Sequence, residues 1–249
     1  TNMTFYSPNR KTPLTQIIPP AEREIKMERR DIYRHLIGHA QRCGARFVYG
    51  CDILGPLLAG NRVIGIKSAQ GDIHADLVID AAGVRTPLRT RLPAVCGIEK
   101  EPRRYEVLYV YRAFYDRACA EEPDAKYKIF LLPEGTRGIA WIAAEEGFTD
   151  LLVGRFEPFG LDEAERMAEA LRVKNPRLGR KVLRGGRLTE IPVRQPLGVM
   201  VCDGYAAVGD SAFMTMPIIG SGIANSLRAA GMLAKTVLAD KGGAYSAHT

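Results

Sequence analysis

The chain has 249 residues, 46% of them hydrophobic and 25% charged, which is ordinary globular usage and excludes wholesale disorder. At roughly 100–200 residues per domain, this length predicts one large domain or two small ones, with enough chain for a self-sufficient core. A net charge of +7 invites a nucleic-acid reading. The densest basic groups, Arg85/Arg89/Arg91 and Arg177/Arg180/Lys181/Arg184/Arg187, are not interleaved with aromatics, so they read as solvated surface or an approach path for an anionic ligand, and nucleic acid is not expected as a partner.

In chain order, the turn-rich start to Glu24 has room for a hairpin of Met3–Tyr6 with Leu14–Ile18. A helix is predicted over about Arg29–Cys43, where Ile32, Leu36, Ala40 and Cys43 share one face and Gly44 stops it. Ala45–Tyr49 reads as a strand, Arg62–Lys67 alternates as a strand should, and Gln70-Gly71-Asp72 turns the chain. The result is a two-stranded ribbon feeding the apolar strand Leu77-Val78-Ile79. From Tyr105 the texture changes to four strands with no helix between them: Tyr105–Tyr115, Tyr127–Leu132, Gly138–Ala144 and Leu151–Phe156. They predict a consecutive antiparallel sheet. Leu161–Val173 is an amphipathic helix with the stripe Leu161, Ala164, Ala168 and Leu171, and Arg187–Pro192 is a further strand. Helices and apolar strands thus flank a central sheet, an α/β (α+β mixed) pattern in which an antiparallel domain is inserted into an α/β one.

The chemistry concentrates in Gly204–Leu238. Tyr205–Val208 is a short buried strand, and Gly209-Asp210 ends it with a carboxylate at the carboxyl edge, where open α/β sheets bind ligands. Pro217 precedes Gly220-Ser221-Gly222, which opens a long helix with an apolar face of Ile219, Ile223, Leu227, Ala230, Ala234 and Val237. Glycines at a helix start let a flat or anionic ligand approach free backbone N–H groups. The plainer alternative is a tight helix entry with Asp210 as its cap.

Gly209-Asp210-Ser211-Ala212, followed by Pro217, Gly220-x-Gly222 and Asn225, resembles the second FAD motif of the flavoprotein hydroxylase superfamily, which includes aromatic hydroxylases and geranylgeranyl reductases. The resemblance implies that Asp210 binds the ribityl–ribose region of FAD. It also implies that Pro217, Gly220, Ser221 and Gly222 run beside the isoalloxazine ring, close to Asn225. Val78–Arg89 resembles the family's middle motif at Gly83, Thr86 and Arg89, with Ala82 where Asp is usual. Arg29, followed by Ile32, Leu36 and Cys43-Gly44-Ala45, matches an Arg that lies near FAD in that family. In the sheet domain, Trp141 and Gly154 match a substrate stretch of the geranylgeranyl reductases, whereas Ile139, Ala143 and Ala144 depart from it.

The resemblance implies a partial FAD-binding Rossmann-like domain over residues 1–100 and 198–249, with an antiparallel-sheet substrate domain over 101–197 inserted in it. No G-x-G-x-x-G opens the chain, so it reads as a fragment lacking the family's first motif. The implied activity is FAD-dependent reduction of a double bond in a small hydrophobic, isoprenoid-type substrate, with NADPH as a candidate electron donor. The alternatives are a monooxygenase of the same fold and a non-catalytic binding module. No catalytic residue is assigned. His35 and His39 lack the neighbouring Glu of a zinc helix, so no metal is expected. No apolar run is long enough to span a membrane. Five cysteines without a C-x-x-C suggest reduced thiols and a cytoplasmic protein. Oligomeric state is not readable.

Overall fold

The computed structural model describes residues 3–9, 11–22, 28–117, 127–132, 135–145, 147–215 and 222–247. The strands are β1 (Met3–Tyr6), β2 (Pro13–Gln16), β3 (Ile53–Ala59), β4 (Arg62–Ser68), β5 (Gly71–His74), β6 (Val78–Asp80), β7 (Val107–Arg117), β8 (Tyr127–Leu131), β9 (Gly138–Glu145), β10 (Phe148–Arg155), β11 (Leu178–Pro192), β12 (Val201–Cys202) and β13 (Tyr205–Ala207). The helices are α1 (Arg29–Arg42), α2 (Leu161–Lys174) and α3 (Ile223–Ala239).

One seven-stranded sheet, in the order β11-β7-β10-β9-β8-β1-β2, forms the larger half. β7 to β10 are antiparallel, as their uninterrupted succession predicts. The hairpin β1/β2, which falls within residues 1–100, adds to this same sheet, with β1 parallel to β8. Alternation sends Tyr111, Ala113 and Tyr115 of β7, Ala140 and Ile142 of β9, and Leu151 and Val153 of β10 to one face. There they pack against Ala164, Ala168 and Leu171 of α2. Leu161, predicted in the same stripe, is half exposed at the helix start. β11 runs from Leu178, well before the predicted Arg187. It is an edge strand, where Arg and Lys side chains and register irregularities are tolerated, so its basic and glycine content hid it.

The second half holds the small sheet β12-β13-β6, in which β13 and β6 are parallel, and the antiparallel ribbon β3-β4-β5. The ribbon has three strands rather than two, because Gly55-Pro56 interrupts the pattern of β3 without preventing it from pairing at the ribbon's edge. The predicted strand Ala45–Tyr49 is absent. Val48 and Tyr49 lie in solvent, and among the described residues no strand pairs with this segment. β6 is not wholly buried either, since Ile79 is exposed between buried Val78 and Asp80. A core of Val63, Val78, Leu88, Leu92, Tyr205, Val208 and Phe213 lies beneath these strands.

Candidate functional site

The site grows from the carboxyl ends of the parallel pair β6 and β13. Asp80, the last residue of β6, is buried. Its Oδ2 accepts hydrogen bonds from Thr86 Oγ1 at 2.7 Å and Tyr205 Oη at 2.8 Å, and its Oδ1 accepts from the Ala82 amide at 3.0 Å. Burial, reinforced by the Asp80 charge, pushes the Tyr205 phenol well above the ordinary tyrosine range, so it remains a donor. Arg89 is fully buried. Its guanidinium donates to the carbonyls of Ser211, Val84 and Lys100 and lies 4.4 Å from the centroid of Phe213. Burial lowers its pKa from the ordinary arginine value. Arg89 therefore ties the loop after β6 to the turn after β13.

That turn is a 3-10 segment, Gly209–Ala212, entered through Gly209 at φ +72°. Ser211 bonds to the Asp80 carbonyl. Phe213 adopts a left-handed φ of 56°, unusual for a bulky residue, and is held between Arg89 and Arg194. Arg194 is fixed in turn by Glu99 and Glu106.

With its neighbours pinned, Asp210 projects as an exposed carboxylate. Its Oδ1 accepts from Thr215 Oγ1, and its Oδ2 makes no hydrogen bond among the described residues. Directly across lies Gly222, the N-cap of α3, where a Cβ would sit 3.0 Å from Thr215 Oγ1 and 3.3 Å from Asp210 Oδ1. A side chain there would crowd the carboxylate, so glycine suits this close approach. Among the described residues no side chain caps α3. Asn225 Nδ2 donates to the Met214 carbonyl at 3.1 Å and fastens the helix to this turn.

The structure therefore brings together Gly209, Asp210, Gly222 and Asn225. Pro217, Gly220 and Ser221 lie outside the described residues. Arg29 begins α1 in an exposed position and makes no described contact with this cluster. Its neighbour Glu28 pairs with Arg184 of β11 at 2.8 Å. The face of α3 turned to the protein is Asn225, Ala229, Leu233 and Val237; of the predicted face only Val237 lies there, Ile223, Leu227, Ala230 and Ala234 are exposed, and Ile219 lies outside the described residues. The helix is apolar on most sides, so its pattern does not choose a face. Sequence reasoning also passed over Asp80, Tyr205, Phe213 and Thr215. A carboxylate ending an apolar strand was a legible signal for Asp80, whereas Thr215 had none.

The second predicted site lies on the large sheet. Trp141 occupies the face away from α2, opposite Leu152 and Ile129 in register. It is half buried, with the Arg112 guanidinium 5.4 Å from its ring centroid and its Nε1 buried without an acceptor among the described residues. Gly154 is on the same face, but Leu108 and Val110 fill the space above it: a Cβ there would meet Leu108 Cδ2 at 3.0 Å. Among the described residues, no three His, Cys, Asp or Glu side chains group to hold a metal, and no helix is long and apolar enough to cross a membrane.

No family model matches the chain. Over 227 residues it is 30% identical to the digeranylgeranylglycerophospholipid reductase of Methanothrix thermoacetophila, a match covering 86% of this chain and 54% of that protein. The reductase of the same name from Haloferax volcanii is 22% identical over 236 residues, 84% of this chain and 54% of that protein. The chain thus spans about half the length of these curated relatives. Among solved structures, a geranylgeranyl bacteriochlorophyll reductase-like protein from Thermoplasma acidophilum superposes with a TM-score of 0.79 at 21% identity, covering 98% of this chain and 63% of that one. A myxobacterial chondrochloren halogenase, a variant of FAD-dependent halogenases, superposes with a TM-score of 0.66 at 18% identity, covering 96% and 60%. The fold is therefore that of FAD-dependent oxidoreductases, and the sequence match is to reductases of the geranylgeranyl reductase-like kind.

Proposed function

We propose that this chain holds the ring end of FAD in an oxidoreductase that reduces a carbon–carbon double bond of a hydrophobic, isoprenoid-type substrate. The observation that carries the reading is Asp210: an exposed carboxylate at the end of a parallel strand, one oxygen fixed by Thr215, facing the start of α3 across a glycine, with no further hydrogen bond to it and no side-chain cap on the helix among the described residues. That donor set fits FAD. Asp210 would hold a ribityl or ribose hydroxyl of the bound group, and Gly222 would leave room for a flat ring. The first amides of α3 favour negative charge at the ring's pyrimidine edge.

When bound, the flavin supplies hydride transfer. The chain's own part is to fix Asp210 through the Asp80–Arg89–Phe213 pins, and to present the apolar face around Trp141 and Leu152, which excludes water. The name of the Methanothrix relative supports an isoprenoid lipid as substrate. NADPH is the electron donor we assign to the reading. Cys43, Cys51, Cys96 and Cys202 are all free thiols, which suits a reducing compartment such as the cytoplasm.

The test is titration of the apoprotein with FAD. Asp210→Ala should weaken binding by about 1.5–3 kcal/mol, the worth of a hydrogen bond to a charged group. Unchanged affinity would remove Asp210 from the flavin site. In parallel, Trp141→Ala should impair turnover and leave FAD content intact.

A further inference from the structure

The two residues that flank Asp210 are anchored in different ways. On its carboxyl side, Ser211 is held by Arg89 at its carbonyl and by the Asp80 carbonyl at its hydroxyl. On its amino side, Met214 holds Gly209 from both ends. The Met214 amide donates to the Gly209 carbonyl at 3.1 Å. The Gly209 amide donates back to the Met214 thioether, Sδ, at 3.3 Å. The Met214 carbonyl in turn accepts from Asn225 Nδ2 of α3 at 3.1 Å. One residue therefore joins the start of the Asp210 turn to the helix across from it.

A thioether is a weak acceptor, but a buried backbone N–H is rarely left without any. Gly209 is buried, and among the described residues its amide has no other acceptor. Met214 itself lies in the core with Leu197, Ala212 and Phe213. A leucine would serve that core about as well, but it could not accept from the Gly209 amide. The clamped point is also where the turn meets α3. At φ +72°, Gly209 lies so near Ser226 that a Cβ would sit 3.1 Å from Ser226 Oγ. A shift of Gly209 is therefore a shift of Asp210 relative to the start of α3.

We infer that Met214 is a positioning residue for flavin binding, and that its sulfur, not its bulk, sets the place of the Asp210 carboxylate against α3. With the sulfur removed, the Gly209 amide is an orphan donor in the core. The turn then relaxes to find that amide another partner, and Asp210 moves with it. A ligand that needs the original spacing has to draw the turn back, so its affinity falls. The Arg89 and Ser211 contacts do not replace the clamp, because they act on the other side of Asp210. The inference rests on reading Asp210 as a flavin ligand.

Met214→Leu and Met214→Gln separate sulfur from bulk in the intact protein. Leucine keeps an apolar side chain of similar volume without an acceptor, whereas glutamine keeps the length and brings an amide oxygen. Two quantities are measured: hydrogen exchange of the Gly209 amide by NMR without FAD, and the FAD dissociation constant by titration. Met214→Leu should raise Gly209 exchange at least roughly tenfold and weaken FAD by about threefold to tenfold, with little change in melting temperature. Met214→Gln should recover most of both. If Met214 only fills space, the order reverses: leucine is harmless, and glutamine, which carries a polar group into an apolar core, does the damage. Unchanged Gly209 exchange in Met214→Leu overturns the inference. So does a Met214→Gln protein that is no better than Met214→Leu in either measurement or does not fold. Failure of the flavin reading looks different: FAD affinity is then indifferent to Asp210→Ala, while Gly209 exchange still follows the residue at position 214. Weakening by Asp210→Ala with no effect of Met214→Leu on FAD would retire Met214 alone.

Discussion

Helices α2 and α3 have comparable lengths and opposite relations to the rest of the chain. α2 buries Ala164, Ala168 and Leu171 against the seven-stranded sheet. α3 buries no residue, and Leu227, Met232 and Leu238 are 53%, 71% and 83% exposed. The difference extends to the two halves around them. The sheet half is held by apolar interdigitation across β7, β9 and β10. The second half, called the nucleotide half for the role we propose for it, has its own small core, but its loops are set by polar pins: Asp80 gathers two hydroxyls and an amide, and Arg89 gathers three carbonyls. Such pins hold Asp210 in place and leave its carboxylate exposed. The lesson is that a ligand-binding end can be rigid where it makes contacts and still be thinly packed overall.

The largest expected effect tests that contrast directly. Asp80→Ala leaves the Thr86 and Tyr205 hydroxyls and the Ala82 amide without their acceptor. Hydrogen bonds to a charged group are worth about 1.5–3 kcal/mol each, so losing three should cost the nucleotide half about 4.5–9 kcal/mol. Trp141 is the chain's one tryptophan and lies in the sheet half, so its fluorescence reports that half alone. In urea, the far-ultraviolet signal should move to lower denaturant while the Trp141 transition stays put. A common shift of both would show that the halves unfold as one unit, and the comparison would fail. The converse change, Leu151→Ala in the fully buried sheet core, should cost about 2–5 kcal/mol and move the Trp141 transition.

A smaller effect follows from pH. Burial, helped by the Cys96 thiol, raises the Cys202 pKa from 9.0 to about 12. A group whose folded pKa lies above its unfolded value gives its full stabilisation below the unfolded pKa and loses it as pH rises toward the folded one. The nucleotide half should therefore weaken between about pH 9 and 12, and Cys202→Ala should flatten part of that decline. Tyr205 shifts in the same direction and adds to the loss above about pH 10. An unaltered alkaline profile in Cys202→Ala would assign the decline elsewhere.

How much of this was legible in the sequence depended on whether a local pattern existed. β7 to β10 and α2 are written in strict alternation or helical spacing, and each appears within a few residues of its predicted bounds. β3 was hidden by Gly55-Pro56 and the first half of β11 by its charges and glycines, because edge strands need no clean pattern. Ala45–Tyr49 has strand-like residues but no described partner, and composition cannot reveal that. At the site, Asp210 and Gly222 were legible through the strand–turn–helix order. The pins were not: Arg89 reaches Ser211 across 122 residues and Ser211 reaches Asp80 across 131, and no spacing rule covers such distances. Likewise Ile129, Trp141 and Leu152 meet only once three strands are in register.

The smallest expected effect isolates the two helices themselves. Met232 on α3 is 71% exposed and Ala168 on α2 is 1% exposed. Changing each to serine alters helix propensity by only a few tenths of a kcal/mol, so any large difference reports surroundings. Ala168→Ser would carry a hydroxyl into a space walled by apolar side chains, an unpaired burial costing about 1–3 kcal/mol on mutational scales. Met232→Ser exposes nothing new and should stay within about 0.5 kcal/mol of the parent. Paired thermal melts of the two variants in the same buffer, scored by the far-ultraviolet signal, measure the difference. A Met232→Ser melt lowered as much as that of Ala168→Ser would mean that the exposed side of α3 is covered in solution, and the contrast between a packed and an open helix would have to be withdrawn.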